Sequence, residues 1–225
     1  MKRISFALAG VLAGVVLLAG PAFAFDAAAL KATLATKSCQ ACDLTGANLA
    51  GASLKGVYLA TANLTGANAA GADLTDGYLR FGILPGINFS GAKLGKVNFE
   101  SANLAGANLA GAELRDASFI NATVPESNAD GATMANANLT RANFRAASMR
   151  KADLSGANLR SAVLNGADLS GANLVGANLD RAGLDKTNFT DANLAGATVT
   201  NTSLADAVLC RTTMPDRTVS RAGCP

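Results

Sequence analysis

From Leu44 onward every fifth residue is large and apolar: Leu44, Leu49, Leu54, Leu59, Leu64 and on through Leu209, Met214 and Val219. Of 36 such positions only Ala69 and Ala129 are small, and the phase runs without an insertion. Two residues before each of them stands a smaller position, Ala in 25 of the 36. A period of five fits neither the helix at 3.6 nor a continuous strand at two. The spacing of two between the small and the large residue is nevertheless a strand spacing, so both point to one side of a short extended segment. The remaining residues must turn a corner. The residue two after each large one is Gly in 15 cases and Asn or Asp in 8 more, which suits a type II turn with φ above zero. Each pentapeptide therefore reads as one side of a coil. Its core is built from Leu and Ala, because the chain has no Trp and only 5% aromatic residues.

The repeated phrase A-(N/D)-L-x-G, written ANLAG, ADLSG and ANLVG, resembles the pentapeptide-repeat proteins, and the resemblance covers residue 42 to about residue 219. It implies an all-β fold, a right-handed quadrilateral β-helix in which four pentapeptides make one coil. On that basis the repeats give about nine coils, a rod of roughly 43 Å at roughly 4.8 Å per coil. The expected organisation is a signal peptide at 1–24, an N-terminal capping segment at 25–41, the β-helix at 42–209 and a disulfide-closed cap at 210–225.

With 20 residues per coil, outward columns become visible. One column holds Asn48, Asn68, Asn88, Asn108 and Asn128, and a second holds Asn138, Asn158 and Asn178; stacked amides of this kind form hydrogen-bonded ladders. Inside, Phe99 and Phe119 fall on one face one coil apart and are expected to stack. Ala69 and Ala129 share a face with Phe89, whose bulk compensates at least the first gap.

The stretch GYLRFGILPGINF keeps the register, since Leu79, Leu84 and Phe89 remain inward and Pro85-Gly86 takes the two central turn positions. Its outside differs. Tyr58, Tyr78, Phe81 and Ile83 project near one corner, where other coils carry Asn, Ser or charge, and an exposed apolar cluster marks a partner contact.

At the N-terminus Lys2 and Arg3 precede an apolar run from Ile4 to Ala19, a Gly20-Pro21 breaker and small residues at Ala22 and Ala24. This reads as an export signal cleaved after Ala24. Of the 19 basic residues 17 then remain against 16 acidic ones, a mature charge of about +1 that implies neither nucleic acid nor a strongly charged partner. The segment DAAALKATLAT, residues 26 to 36, offers an Asp N-cap and an Ala/Leu run, so a short capping helix is expected over the first coil.

Four cysteines in an exported chain suggest disulfides. Cys39 and Cys42 lie at the first coil and Cys210 and Cys224 at the last, about 40 Å apart, so only the pairings within each end meet the ~7 Å limit on Cα separation. The same distance excludes a four-cysteine zinc site.

Histidine is absent, which removes Ser-His-Asp and Cys-His catalysis, His-ligated zinc and c-type haem attachment. The sequence implies no cofactor, no metal, no nucleic acid and no membrane contact after signal cleavage. The leading reading is a non-enzymatic scaffold that binds a protein partner through its faces, in a periplasm or, in a photosynthetic source, a thylakoid lumen. Two alternatives stand beside it. Some pentapeptide-repeat proteins resemble B-form DNA and bind DNA gyrase, but such mimics are acidic, and here Arg141, Arg145, Arg150, Lys151 and Arg160 spread over three faces. The other is a thiol-disulfide oxidoreductase acting through Cys39-Gln-Ala-Cys42.

Overall fold

The computed structural model describes residues 26–224; the predicted signal peptide at 1–24 lies outside the described residues. Small and large apolar residues two apart lie inward, and the chain winds so that each residue before a large one pairs in parallel with the residue 20 further on, as Asn48 does with Asn68 and Asn68 with Asn88. The bonding repeats from side to side. Leu49 N–H donates to Asn68 C=O at 2.6 Å, Gly51 N–H to Ala70 C=O at 2.9 Å, and Asn68 N–H returns a bond to Ala47 C=O at 2.9 Å. Each corner closes on itself, as Ala52 N–H does on Leu49 C=O at 3.0 Å. The sides are too short for conventional strands: pairing consists of isolated parallel bridges, running from Ser38 to Thr213.

Every corner residue from Gly46 through Asn201 has φ between 52° and 70°. Sequence chemistry marks the Gly, Asn and Asp corners, yet Phe81, Glu126, Arg141 and Lys151 adopt the same conformation. For such residues it costs about 1 kcal/mol, a penalty the ladder bonds on both sides of the corner outweigh. Outward Asn and Asp residues stiffen the corners: Asp43 Oδ1 accepts from Thr45 N–H at 2.9 Å, and Asn88 Oδ1 from Ser90 N–H at 3.1 Å.

The interior is one apolar cluster running from Leu30 to Leu209. Phe99 and Phe119 do meet, with centroids 5.0 Å apart and planes tilted by 31°, and Phe89 and Phe144 extend the contact at 5.8 and 5.9 Å. Ala69 and Ala129 are fully buried. Where Thr replaces Ala at the small inward position, its hydroxyl needs an acceptor and takes a carbonyl of the preceding coil. Thr187 donates to Leu164 C=O, Thr202 to Leu179 C=O and Thr212 to Phe189 C=O, at 2.9, 2.7 and 2.7 Å.

The two Asn columns differ. Asn68, Asn88 and Asn108 each donate Nδ2–H to the Oδ1 of the Asn one coil before, at 3.5, 3.2 and 3.1 Å. The ladder stops at Asn108: Asn128 accepts from Asp130 N–H on Oδ1, as the ladder members do from the residue two ahead, but makes no bond to Asn108. The expected second ladder does not form: Asn138, Asn158 and Asn178 accept only from the residue two ahead, Thr140, Arg160 and Asp180. Beside the first column stand the small residues Ala50, Ala70, Ser90 and Ala110; in the second, the Thr140 hydroxyl also donates to Asn138 Oδ1 at 2.6 Å.

At the N-terminal end α1 (Ala27–Thr36) starts at Asp26, whose carboxylate accepts from Ala28 and Ala29 N–H, and Leu30 is buried beneath it. At the other end the expected inward register through Val219 is corrected. The last coil-to-coil bridge joins Asn193 to Thr213. The chain then folds back as an antiparallel pair, β1 (Thr212–Thr213) with β2 (Val219–Ser220), and Val219 is 61% exposed. The returning segment covers the edge itself: Leu209 N–H donates to Ala222 C=O and Met214 N–H to Thr218 C=O, at 2.9 and 2.8 Å.

Candidate functional site

Outward columns place the aromatic cluster around one corner. Ser38, Tyr58, Tyr78 and Asn98 pair in succession, so the Tyr58 and Tyr78 rings stand one above the other, 5.0 Å apart and within 5° of parallel. Three residues beyond Tyr78 the chain turns, and Phe81 occupies the corner with φ 58° and is 48% exposed. Ile83, 47% exposed, opens the next side, and Tyr58 is 40% exposed. The structure thus gathers all four residues.

The charge inside this cluster is already matched. The Arg80 guanidinium lies 4.5 Å from the Phe81 ring centroid and donates to Glu100 Oε1 at 2.7 Å. What the corner offers is a neutral apolar surface braced by an ion pair. The turn does not itself require Phe81, since the corners one pentapeptide away are Asp76 and Gly86 with the same backbone. A left-handed Phe costs about 1 kcal/mol, which an exposed cation–π contact of ~0.5–1 kcal/mol barely offsets.

Gly77 and Gly82 escape a reading based on the apolar period alone. They take the small inward position in the two repeats beneath Tyr78, Phe81 and Ile83, and a Cβ there would lie 2.7 Å from Leu74 O at Gly77 and 2.8 Å from Leu84 Cδ1 at Gly82. The signal was the loss of Ala from two consecutive small positions directly behind the cluster.

The cysteines pair within each end: Cys39 with Cys42, Cα atoms 5.6 Å apart, and Cys210 with Cys224, 4.7 Å apart. Cys39 and Cys42 are half-buried beside α1. Among the described residues no group of three or more His, Cys, Asp or Glu side chains could hold a metal ion, and no helix is long and apolar enough to cross a membrane.

The basic residues of 141–160 are partly neutralised. Arg150 pairs with Asp130 and Arg160 with Asp180, while Arg141, Arg145 and Lys151 form no ion pair among the described residues. Burial pushes the Asp130 carboxyl up, but hydrogen bonds from Arg150 and Ser148 together hold it below the usual carboxylate range. Hydrogen bonds from Asn201 and Thr200, then the charges of Arg181 and Arg160, lower Asp180 in the same way. These carboxylates bind their neighbours along the rod.

Residues 92–174 match the family model described as a pentapeptide repeat region, and residues 42–80 and 187–215 match pentapeptide repeats. The comparison with curated proteins returned no match. Among solved structures, the chain is 32% identical to HetL, a pentapeptide repeat protein involved in heterocyst differentiation regulation from the cyanobacterium Nostoc sp. strain PCC 7120, over 85% of this chain and 97% of that one, with a TM-score of 0.48. It is 30% identical to a thylakoid-lumen pentapeptide repeat protein of Arabidopsis thaliana over 52% of this chain and 70% of the other, TM-score 0.28. With QnrB1, a plasmid-mediated fluoroquinolone resistance protein, identity is 16% over 76% and 78% of the two chains, TM-score 0.43. The unbroken five-residue period, its inward Leu and Ala, the matches along most of the repeat and the likeness to HetL agree, and the chain belongs to the pentapeptide-repeat family.

Proposed function

We propose that the mature chain is a non-enzymatic interaction rod, exported by cleavage after Ala24 to a periplasm or, in a photosynthetic source, a thylakoid lumen. In this reading it is a right-handed square column of about nine coils, roughly 43 Å long at ~4.8 Å per coil, capped by α1 and by the Cys210–Cys224 loop. It binds a protein partner at the corner formed by Tyr58, Tyr78, Phe81 and Ile83. The observation that carries this is Phe81, a half-exposed aromatic residue at a corner where the other repeats from Gly46 to Asn201 carry Gly, Ala or a polar residue. The left-handed backbone is common to every corner, so it is the exposed apolar ring, beside Ile83 and the stacked Tyr58 and Tyr78, that supports function there. Binding there suits an aromatic anchor set in a neutral surround, the pattern of interface hot spots.

The DNA-mimic reading has against it a mature charge close to zero and cations divided among several faces. For the Cys39–Cys42 oxidoreductase, an insulin-reduction rate above background would establish activity, and the expected rate is zero.

The test is in-cell cross-linking of the exported form followed by affinity capture and mass spectrometry. The wild-type chain is expected to retain a specific protein that the Tyr78→Ser/Phe81→Ser double variant loses, with circular dichroism unchanged. Equal capture by both chains, or no cross-linked protein at all, overturns the assignment.

A further inference from the structure

The coil-to-coil ladder has an opening far from the aromatic corner. On the side that carries Ile83, every large residue from Leu44 to Leu164 donates its N–H to the next coil, the last such bond running from Leu164 to Gly183 C=O at 2.8 Å. One coil later the pattern fails. Among the described residues Leu184 N–H and Lys186 N–H have no acceptor and Ala182 C=O has no donor; Ser203, which in the register of the earlier coils would meet Leu184 N–H and Ala182 C=O, does not pair with Gly183, and Ala205 C=O does not reach Lys186 N–H. Thr202 before the opening and Val208 after it are still tied to the preceding coils, by Thr202 Oγ1 to Leu179 C=O at 2.7 Å and Val208 N–H to Thr187 C=O at 2.9 Å. Between them lies a cavity of about 220 Å³, lined by Asn165, Ala182, Gly183, Leu184, Asp185, Ser203 and Asp206.

Gly183 helps to shape this opening. It stands where other coils carry an outward side chain, and a Cβ there would come within 2.5 Å of Asn165 Oδ1. The cavity is smaller than the ~300 Å³ at which drug-sized pockets begin, yet several times the ~30 Å³ of one water. Its polar groups are those of a strand edge, a carbonyl at Ala182 and an amide at Leu184 in the alternation that elsewhere binds one residue of a neighbouring chain segment. Two carboxylates, Asp185 and Asp206, line it, and neither is in an ion pair among the described residues.

We infer that this opening is a docking slot for a short extended peptide segment carrying a lysine or arginine side chain. The backbone of the incoming segment takes the bonds that Ser203 and Ala205 leave unmade, accepting from Leu184 and Lys186 N–H and donating to Ala182 C=O, and its cation sits between Asp185 and Asp206. This is strand addition in miniature: main-chain bonds supply affinity and the flanking side chains supply selection. The slot is independent of the Phe81 corner, and either can fail without the other.

The experiment is amide hydrogen exchange by NMR on the mature protein, alone and with millimolar acetyl-Ala-Lys-Ala-amide or acetyl-Ala-Glu-Ala-amide. In the free protein Leu184 and Lys186 amides are expected to exchange fast, whereas Leu164 and Gly166, at the same positions one coil earlier, are protected. The lysine peptide is expected to shift the Leu184 and Lys186 resonances and to slow their exchange roughly tenfold, the glutamate peptide to do neither, and Asp206→Asn to abolish the difference. Protection of Leu184 and Lys186 in the free chain would show the ladder closed and end the proposal. So would silence toward both peptides, or equal effects from the two.

Discussion

Two neighbouring strips of the rod share a backbone and differ in everything outside it. The strip from Asn48 to Asn108 is bounded by glycine corners such as Gly66 and Gly71, carries a file of hydrogen-bonded amides and exposes no large side chain. The strip around Tyr78, Phe81 and Ile83 has the same corner geometry, φ 58° at Phe81 against 62° at Gly66, but presents an apolar cluster. The first strip spends its outward positions on coil-to-coil bonds. In the second strip the side chains of Phe81 and Ile83 make no such bonds, and beneath it the interior gives up two Cβ atoms at Gly77 and Gly82. In a solenoid the inward residues hold the fold alike on every side, so outward residues are free to differ.

The sharpest way to break this comparison is from the inside. Leu84 lies behind Ile83 and Leu109 behind Asn108, both fully buried. Leu84→Ala and Leu109→Ala are each expected to lose about 3 kcal/mol in urea unfolding. A loss below about 1 kcal/mol at either would mean that the two strips do not share a close-packed interior. A smaller effect is expected for Asn88→Ala, which removes one rung above and one below, together with the Ser90 corner bond. It should cost about 1 kcal/mol, whereas Ile83→Ser in the adjoining column should leave unfolding unchanged. The smallest effect belongs to Phe81→Gly. Thermal unfolding is expected to be unaltered or to gain up to about 1 kcal/mol as left-handed strain is relieved; a clear loss would make Phe81 a structural residue and remove the reason for placing a partner there.

Much of this was legible along the chain. The period of five named the inward residues from Leu44 to Leu209, and the same count put Tyr58, Tyr78, Phe81 and Ile83 on the outside near one corner. The candidate surface could be found because an outward aromatic is visible as soon as the register is known. Gly77 and Gly82 were harder to read, since their meaning lies in the approach of Leu84 and of the Leu74 carbonyl.

By itself the sequence determined direction: which side chains face in, which face out, and that the chain must turn after every pentapeptide. Those are local properties, set by alternation along a few extended residues and by turn chemistry. Only the tertiary structure decided which Asn column links into a ladder, that Arg141 and Lys151 take left-handed corners, that the register ends before Val219, and that the ladder opens at Leu184. Each of these depends on bonds between residues about 20 apart, where the neighbouring coil's bulk and position, absent from any five-residue window, settle whether a donor meets its acceptor.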